Sequence, residues 1–288
     1  MASSNLRSAR RPVFAEALES RTLLSATPIL LEQVISTGKH ATYHESTLNG
    51  IPFGVNVRNG TVDVYKVDNR IEVSITGTDD TSTIIIGGHV QFADVAVYGP
   101  MKSFSAPTIT LAGTMAVAGS LDKLNLGGVS GTLAIRGDLG TGNIGGVNGM
   151  VAVGGAITKL TTGALNNATI LSGAIVPADS PIGATNNTYA PGAIGTLNIN
   201  GEVINSNIAV GVSPGPDNIF GTADDTSAGG GEIGKITVSQ GADPTSHFEA
   251  GAFGTVKIRA FGTIAPIKKL TNPLSDSHFL IPGQAPQT

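Results

Sequence analysis

Residues Leu121-Asp122-Lys123-Leu124-Asn125-Leu126 carry the pattern that decides the fold. An apolar residue is followed by any residue, by Lys, Thr or Ser, and then by an apolar, a polar and usually an apolar residue. The pattern recurs at 101–106, 157–162, 194–199, 233–238 and 253–258. Apolar residues that alternate with polar ones over so short a segment predict a β-strand with one buried face.

The copies begin 20, 36, 37, 39 and 20 residues apart. A second apolar segment follows four of the copies after 12 to 15 residues, at Leu133, Ile170, Ile208 and Phe248. Short strands in a repeat of about 20 residues, separated by Gly and Asn turns, are typical of solenoids. The sequence therefore predicts an all-β protein, a parallel β-solenoid (β-helix), with coils of about 20 residues and long loop insertions at one equivalent point.

Stacked coils must place equivalent residues in columns. We expect one buried apolar column, made of Leu124, Leu160, Leu197, Ile236 and Val256. The polar residue that follows each of these should face outward. That row reads Ser105, Asn125, Thr161, Asn198, Thr237 and Lys257, in which Asn and Thr side chains could hydrogen-bond along the axis.

Two long returns between copies are rich in Gly, Pro, Asn and Asp and show no alternation, at 172–192 and 211–231. They are predicted to be loops. Equivalent insertion points in successive coils would place them side by side, as a ridge that is the first candidate for binding a glycan or a surface matrix. The third long return, 134–156, is either another insertion or an additional coil.

The rest of the chain divides by composition. Residues 1–26 differ from the body and resemble a sorting or export segment; 27–100 are a β-rich part or cap; 101–269 are the solenoid; 270–288 are a C-terminal tail with three prolines. Within the cap, 61–67 and 70–76 alternate apolar and polar residues around Asp68-Asn69, which predicts a β-hairpin.

Composition excludes several classes of protein. Charged residues make up 13% and hydrophobic residues 40%, which excludes a disordered chain. A net charge of −4 argues against a nucleic-acid partner. The absence of Cys excludes disulfides and thiolate zinc sites. Apolar runs are too short to predict a transmembrane segment.

The run Leu18-Glu19-Ser20-Arg21-Thr22-Leu23-Leu24-Ser25 resembles the N-terminal LEPRxLL-type motif of large exported planctomycete proteins. The motif usually has Pro where this chain has Ser20. The resemblance implies export and an extracellular or cell-envelope location, and it implies no activity, since the function of that family is largely unknown.

The segment from Pro216 to Thr226 resembles Asp- and Gly-rich segments of exported bacterial proteins, some of which are presumed calcium loops. Asp217, Asp224 and Asp225 could supply carboxylate oxygens to Ca²⁺, the one cofactor that the sequence suggests. The alternative is a solvated acidic turn in which Asp side chains cap backbone N–H groups.

Other motifs carry less. Gly140-Thr141-Gly142-Asn143-Ile144-Gly145 matches G-x-G-x-x-G by letter, but no helix can follow it, so a turn between coils is expected. His40 and His44 lack further zinc ligands and suggest a surface turn. Lys123, Lys159 and Lys235 share one template position. They could contact an acidic polysaccharide, but the favoured interpretation is a solvated row that limits aggregation.

These observations favour a non-catalytic exported structural or adhesion-type surface protein, with calcium as a candidate stabiliser. The main alternative is a carbohydrate-active enzyme of the pectate-lyase-like β-helix type. Against it, outward strand positions hold mostly Asn, Thr and Lys, and acidic residues cluster in loops. A third possibility is a truncated member of a family of larger surface proteins.

Overall fold

The computed structural model describes residues 28–38, 40–177, 182, 184–262, 266, 267 and 278–282. The predicted export segment 1–26 and most of the predicted tail 270–288 lie outside these residues. The described chain is all β. Its strands are β1 (Ile29–Ser36), β2 (Thr42–Leu48), β3 (Ile51–Arg58), β4 (Gly60–Val67), β5 (Arg70–Thr76), β6 (Thr83–Gly88), β7 (Gln91–Val97), β8 (Met101–Val117), β9 (Leu121–Val129), β10 (Thr132–Ile135), β11 (Leu139–Ile144), β12 (Met150–Val153), β13 (Ile157–Thr162), β14 (Leu165–Asn166), β15 (Thr169–Ser172), β16 (Ala174–Ile175), β17 (Thr188–Tyr189), β18 (Gly192–Ile199), β19 (Val203–Ile204), β20 (Asn207–Val210), β21 (Val212–Ser213), β22 (Thr226–Ser227), β23 (Gly231–Val238), β24 (His247–Ala250), β25 (Ala252–Ile258) and β26 (Phe279–Leu280).

The N-terminal part is antiparallel and turns into a parallel stack. β4 and β5 form the predicted hairpin, with Val67 opposite Arg70 and Asp68 at a φ of 55° in the turn. β1 pairs with β4, and β3 pairs with both β2 and β6. The parallel pairs then begin with β5–β7 and β6–β8. The antiparallel strands thus supply hydrogen bonds to the first coil, which would otherwise present an unpaired edge.

Two walls run the length of the stack. Wall A consists of the start of β8 followed by β9, β11, β13, β18, β23 and β25, all parallel. The predicted column is confirmed, because Leu124, Gly142, Leu160, Leu197, Ile236 and Val256 are successive partners across it. The predicted outward row is confirmed as well, from Ser105 to Lys257.

Wall B consists of the end of β8 followed by β10, β12, β15, β20, β24 and β26. Its inward column contains the four second-strand residues expected from the sequence, together with three residues that the repeat pattern did not include, Met115, Val151 and Phe279. The column reads Met115, Leu133, Val151, Ile170, Ile208, Phe248 and Phe279. A corner column of Val129, Val147, Leu165, Val203 and Ala242 joins the walls.

The return 134–156 is an additional coil. β11 pairs with β9 and β13, and β12 pairs with β10 and β15. The expectation that 140–145 forms a turn is therefore wrong, since 140–144 belong to β11. The template was hidden because Gly142 occupies the Leu124 column. A Cβ there would meet Leu160 Cδ1 at 2.8 Å, so the neighbouring leucine fills the space.

Glycine also permits close stacking at the coil corner. Gly127, Gly145 and Gly163 follow one another in successive coils, and a Cβ on Gly163 would overlap the carbonyl oxygen of Gly145. Any larger residue would separate the coils there. The high glycine content therefore reflects close backbone approach as well as the turns expected from composition.

The two long insertions leave the stack after wall B. Insertion 1 (residues 173–191) follows β15, and insertion 2 (residues 211–230) follows β20. The sequence predicted loops at these positions, and the structure adds short strand pairings at their ends. Each insertion begins and ends with a two-residue antiparallel ladder, β16 with β17 and β21 with β22.

Candidate functional site

The outward side of wall B is covered by the insertions. Its central outward row reads Ala134, Ala152, Leu171, Ala209 and Glu249. Ala152, Leu171 and Ala209 are buried in a second apolar cluster, outside the solenoid core. On wall B, small and apolar residues lie at the outward positions that are polar on wall A. These side chains are removed from water only if another segment of the chain covers them.

The insertions contact each other within that cluster. The rings of Tyr189 in insertion 1 and Phe220 in insertion 2 lie edge to face, with centroids 6.1 Å apart. Phe220 is 4% exposed, beside Ala174 and Val212. This contact confirms that the insertions lie side by side.

Asp225 holds insertion 2 together through hydrogen bonds to its backbone. It is 2% exposed. Its Oδ1 accepts a hydrogen bond from the N–H of Gly215 at 3.1 Å, and its Oδ2 accepts from the N–H groups of Gly221 at 2.7 Å and Thr222 at 2.9 Å. A single carboxylate thus organises both sides of the loop, which is the capping role considered for these residues from the sequence.

Glu249 lies on β24 directly beneath that loop, and it is also 2% exposed. Burial, the charge of Asp225 and a hydrogen bond with Asp225 together raise the pKa of Glu249 to about 9, while the N–H of Gly221 acts weakly in the other direction. Two buried carboxyl groups in contact cannot both ionise cheaply. Glu249 is therefore the neutral, proton-donating member of the pair near pH 7.

Two histidines flank the pair. His247 Nδ1 lies 3.3 Å from Asn207 Oδ1, and a Cβ on Gly221 would come within 2.7 Å of the same nitrogen. Burial lowers the pKa of His247, and the neighbouring His278 lowers it further against the opposing charges of Asp243 and Asp225. His247 is therefore largely neutral at pH 7.

Asp217 and Asp224 lie in the same loop but do not join Asp225. Asp217 Oδ1 accepts the N–H of Ile219 at 2.8 Å, and Asp224 Oδ1 accepts the hydroxyl of Thr222 at 2.6 Å. That hydroxyl holds the pKa of Asp224 below its usual range. Within the described ranges, no three His, Asp or Glu side chains converge as a metal-binding group. Calcium at Asp217, Asp224 and Asp225 stays a prediction.

The outward side of wall A is polar, and none of the described residues covers it. Asn143 Nδ2 donates to Asn125 Oδ1 at 3.2 Å in the next coil, so the expected asparagine ladder exists at this step. Lys123, Lys159 and Lys235 are exposed on the neighbouring outward row, with Thr141 between the first two and Thr196 between the last two.

No protein-family model, curated protein or solved structure matches the chain. In the described part of the chain, no helix has the length and apolar character needed to cross a membrane.

The sequence predicted a site in the loop that contains Asp225 but did not include the strand beneath it. Asp225 was identified in insertion 2, whereas Glu249 was not, because acidic residues were expected in loops. The signal that could have found Glu249 is its place two residues after His247 on the outward row of a strand whose equivalent positions hold Ala and Leu. His44 was expected in a surface turn and lies instead in β2, with Nδ1 3.2 Å from Glu32 Oε1.

Proposed function

We propose that the protein is a non-catalytic, exported structural or adhesion-type surface protein that binds through its solenoid surface. The observation that carries this proposal is the contrast between a covered wall B and a bare, polar wall A across successive coils. A rigid stack with one uncovered face offers a long contact surface without a reaction centre. Export rests on the resemblance of residues 18–25 alone.

A carbohydrate-active enzyme is the second candidate, and the Asp225–Glu249 pair is the observation that favours it. Glycosidic-bond cleavage also uses two carboxyl groups of which one is protonated, but those groups lie about 5 Å or more apart, whereas Glu249 hydrogen-bonds Asp225 directly. Both residues, however, are 2% exposed, and Asp225 accepts three backbone N–H groups. A substrate could reach them only if insertion 2 opened.

The test uses the whole protein with polygalacturonate, a fully methyl-esterified pectin and a neutral glucan. Binding is followed by affinity electrophoresis, and chain length by size-exclusion chromatography. We expect retention of at least one glycan with no shortening of any chain. Shortening that disappears in Glu249→Gln and in Asp225→Asn, but persists in the exposed control Glu232→Gln, would establish the enzyme and end the proposal.

Calcium is proposed as a stabiliser of insertion 2 and has its own test. A ligand that binds only the folded form raises the melting temperature by mass action. Melts are recorded with calcium and with a chelator, for the natural protein and for Asp217→Asn/Asp224→Asn. We expect calcium to raise the Tm of the natural protein and to leave the variant unchanged. Equal melting temperatures in all four samples would remove calcium from the account.

A further inference from the structure

We infer that wall A is the binding face for a linear acidic polysaccharide whose carboxylates recur at every second coil. This inference rests on the proposed function and names the ligand class and the face. It departs from the expectation that the insertions form the binding ridge.

Wall A concentrates the positive charge of an acidic protein. Of the six lysines among the described residues, five are exposed on its outward side, and the sixth is Lys66. The five are Lys102, Lys123, Lys159, Lys235 and Lys257. The outward rows that contain Lys102, Lys123 and Lys257 hold a single carboxylate, that of Asp122, although the whole chain has a net charge of −4. The exposed Glu232 lies outside these rows, at the start of β23. In the described part of the chain, none of the five forms a salt bridge.

The lysines are spaced regularly. One outward row reads Ser103, Lys123, Thr141, Lys159, Thr196, Lys235 and Thr255, so lysine occupies every second coil. The pairs Ile194–Ile233 and Leu197–Ile236 place Thr196 opposite Lys235. Since adjacent strands lie about 4.8 Å apart, successive lysines are about 9.6 Å apart. The alternation depends on Thr141, which lies in the additional coil at 134–156.

Protection against aggregation does not account for this row. Charged residues serve that purpose on edge strands, whose backbone groups are unpaired. β9, β11, β13, β18 and β23 are each paired on both sides. The lysines therefore project from the middle of the sheet, where no edge needs protection.

The spacing and the flanking residues select the ligand. In an extended chain of (1→4)-linked uronic acids with two-fold screw symmetry, carboxylates on one edge recur at every second sugar, a repeat similar in length to two strand spacings. Ammonium groups on flexible stems can meet these charges. The adjacent row of Asn125, Asn143, Thr161, Asn198 and Thr237 offers donors and acceptors to sugar hydroxyls.

A nucleic acid fits this face less well. Single-stranded nucleic acid is held by aromatic side chains on which bases stack, together with basic residues. The three outward rows of wall A, between residues 102 and 257, contain no aromatic side chain. Single-stranded DNA and anionic lipid vesicles are therefore comparison ligands in the test.

The experiment measures polygalacturonate binding by the whole protein across a salt series. Opposite-charge binding of a polyelectrolyte releases counterions, so affinity should fall steeply with salt. The variant Lys123→Gln/Lys159→Gln/Lys235→Gln should bind at least tenfold more weakly. The matched variant Lys66→Gln/Arg70→Gln/Arg136→Gln removes the same charge elsewhere and should bind within twofold of the natural protein.

A second variant isolates spacing from charge. Thr141→Lys/Lys159→Thr keeps the composition and net charge of the wall but places two lysines in adjacent coils. We expect a loss of at least threefold. Circular dichroism confirms that each variant is folded before its affinity is compared.

The outcomes separate this inference from the proposed function. Unchanged binding by the triple lysine variant, no loss in the re-spaced variant, or no binding of polygalacturonate at all would each overturn wall A as the face while leaving a non-catalytic scaffold. Equal or tighter binding of single-stranded DNA or anionic vesicles would overturn the ligand class. Shortening of polygalacturonate would overturn the proposed function instead.

Discussion

Wall A and wall B belong to the same coils and face the same core, but the outer surface of wall A is exposed whereas that of wall B is covered by the insertions. Both walls send apolar side chains inward in columns, and at Gly142 in wall A the neighbouring Leu160 fills the space. Outward, wall A presents Lys, Thr and Asn to solvent, whereas wall B presents Ala and Leu to a second apolar cluster under the insertions. Inward residues thus set the architecture, and outward residues decide which side is covered.

The difference between the walls also explains the position of the buried acids. An apolar outer row under a loop creates a low-dielectric site, and Glu249 at the end of that row loses its charge there. A carboxyl on the solvent-exposed rows of wall A would meet water instead. The same solenoid therefore has a charged face on one side of its coils and a buried, protonated Glu249 on the other.

The largest effect is expected for an inward residue. Leu197 is fully buried in the wall A column, so Leu197→Ala should lower the free energy of unfolding by about 4 kcal/mol. Its neighbour Asn198 faces outward, and Asn198→Ala should change stability by about 0.5 kcal/mol or less. Urea denaturation measures both. Equal losses would mean that the inward and outward assignments of wall A are wrong.

A smaller, local effect is expected in the covering of wall B. Phe220→Ala removes the ring that joins the insertions and should cost the second cluster about 3 kcal/mol. Hydrogen exchange should then accelerate in β21, β22 and the described part of insertion 1, while β9, β11 and β13 stay protected.

Ile219→Ala is the matched control, because Ile219 is 56% exposed next to Phe220. It should leave exchange unchanged. Loss of protection throughout wall A in Phe220→Ala would show that the two sides of the coil fold as one unit, contrary to the account.

Glu249 should give the protein an unusual pH dependence. Its pKa is about 9 in the folded protein and near 4.5 in the unfolded chain, so between these values the folded state holds a proton that the unfolded state has released. Stability is therefore highest below pH 4.5 with respect to this group and falls as pH rises toward 9, by at most about 1.4 kcal/mol per pH unit.

Glu249→Gln keeps the shape and can still donate to Asp225, but it cannot ionise. Unfolding free energies of this variant, measured from pH 5 to pH 9, should fall less steeply than those of the natural protein, with the exposed control Glu232→Gln following the natural curve. If the natural protein and Glu249→Gln have parallel curves, Glu249 does not hold the proton described above in the folded protein.

The sequence predicted the stack because the template at Leu121–Leu126 repeats its apolar positions. It left the coil at 134–156 open because Gly142 replaces a core leucine between Gly140 and Gly145, so the copy resembles a glycine-rich turn. A pattern of apolar residues cannot identify a core position that is occupied by glycine and filled by the side chain of a residue in the next coil. That omission also concealed the lysine alternation, which requires Thr141.

The Asp225–Glu249 contact was less accessible still. Asp225 belongs to an irregular insertion whose path over wall B is set by tertiary packing of Phe220 and Tyr189, and no local pattern encodes that path. The capping of backbone groups by Asp225 was predictable as a tendency of Asp in turns. Its meeting with a strand residue 24 positions later was not.

The most direct test of the stacked coils is a distance between two outward residues of wall A. The chain has no Cys, so Ser103→Cys/Thr255→Cys provides two unique sites for nitroxide labels. Six strand spacings separate them, which predicts a narrow electron–electron distance distribution near about 29 Å. A broad distribution, or one centred beyond about 45 Å, would contradict a single stack built from these coils.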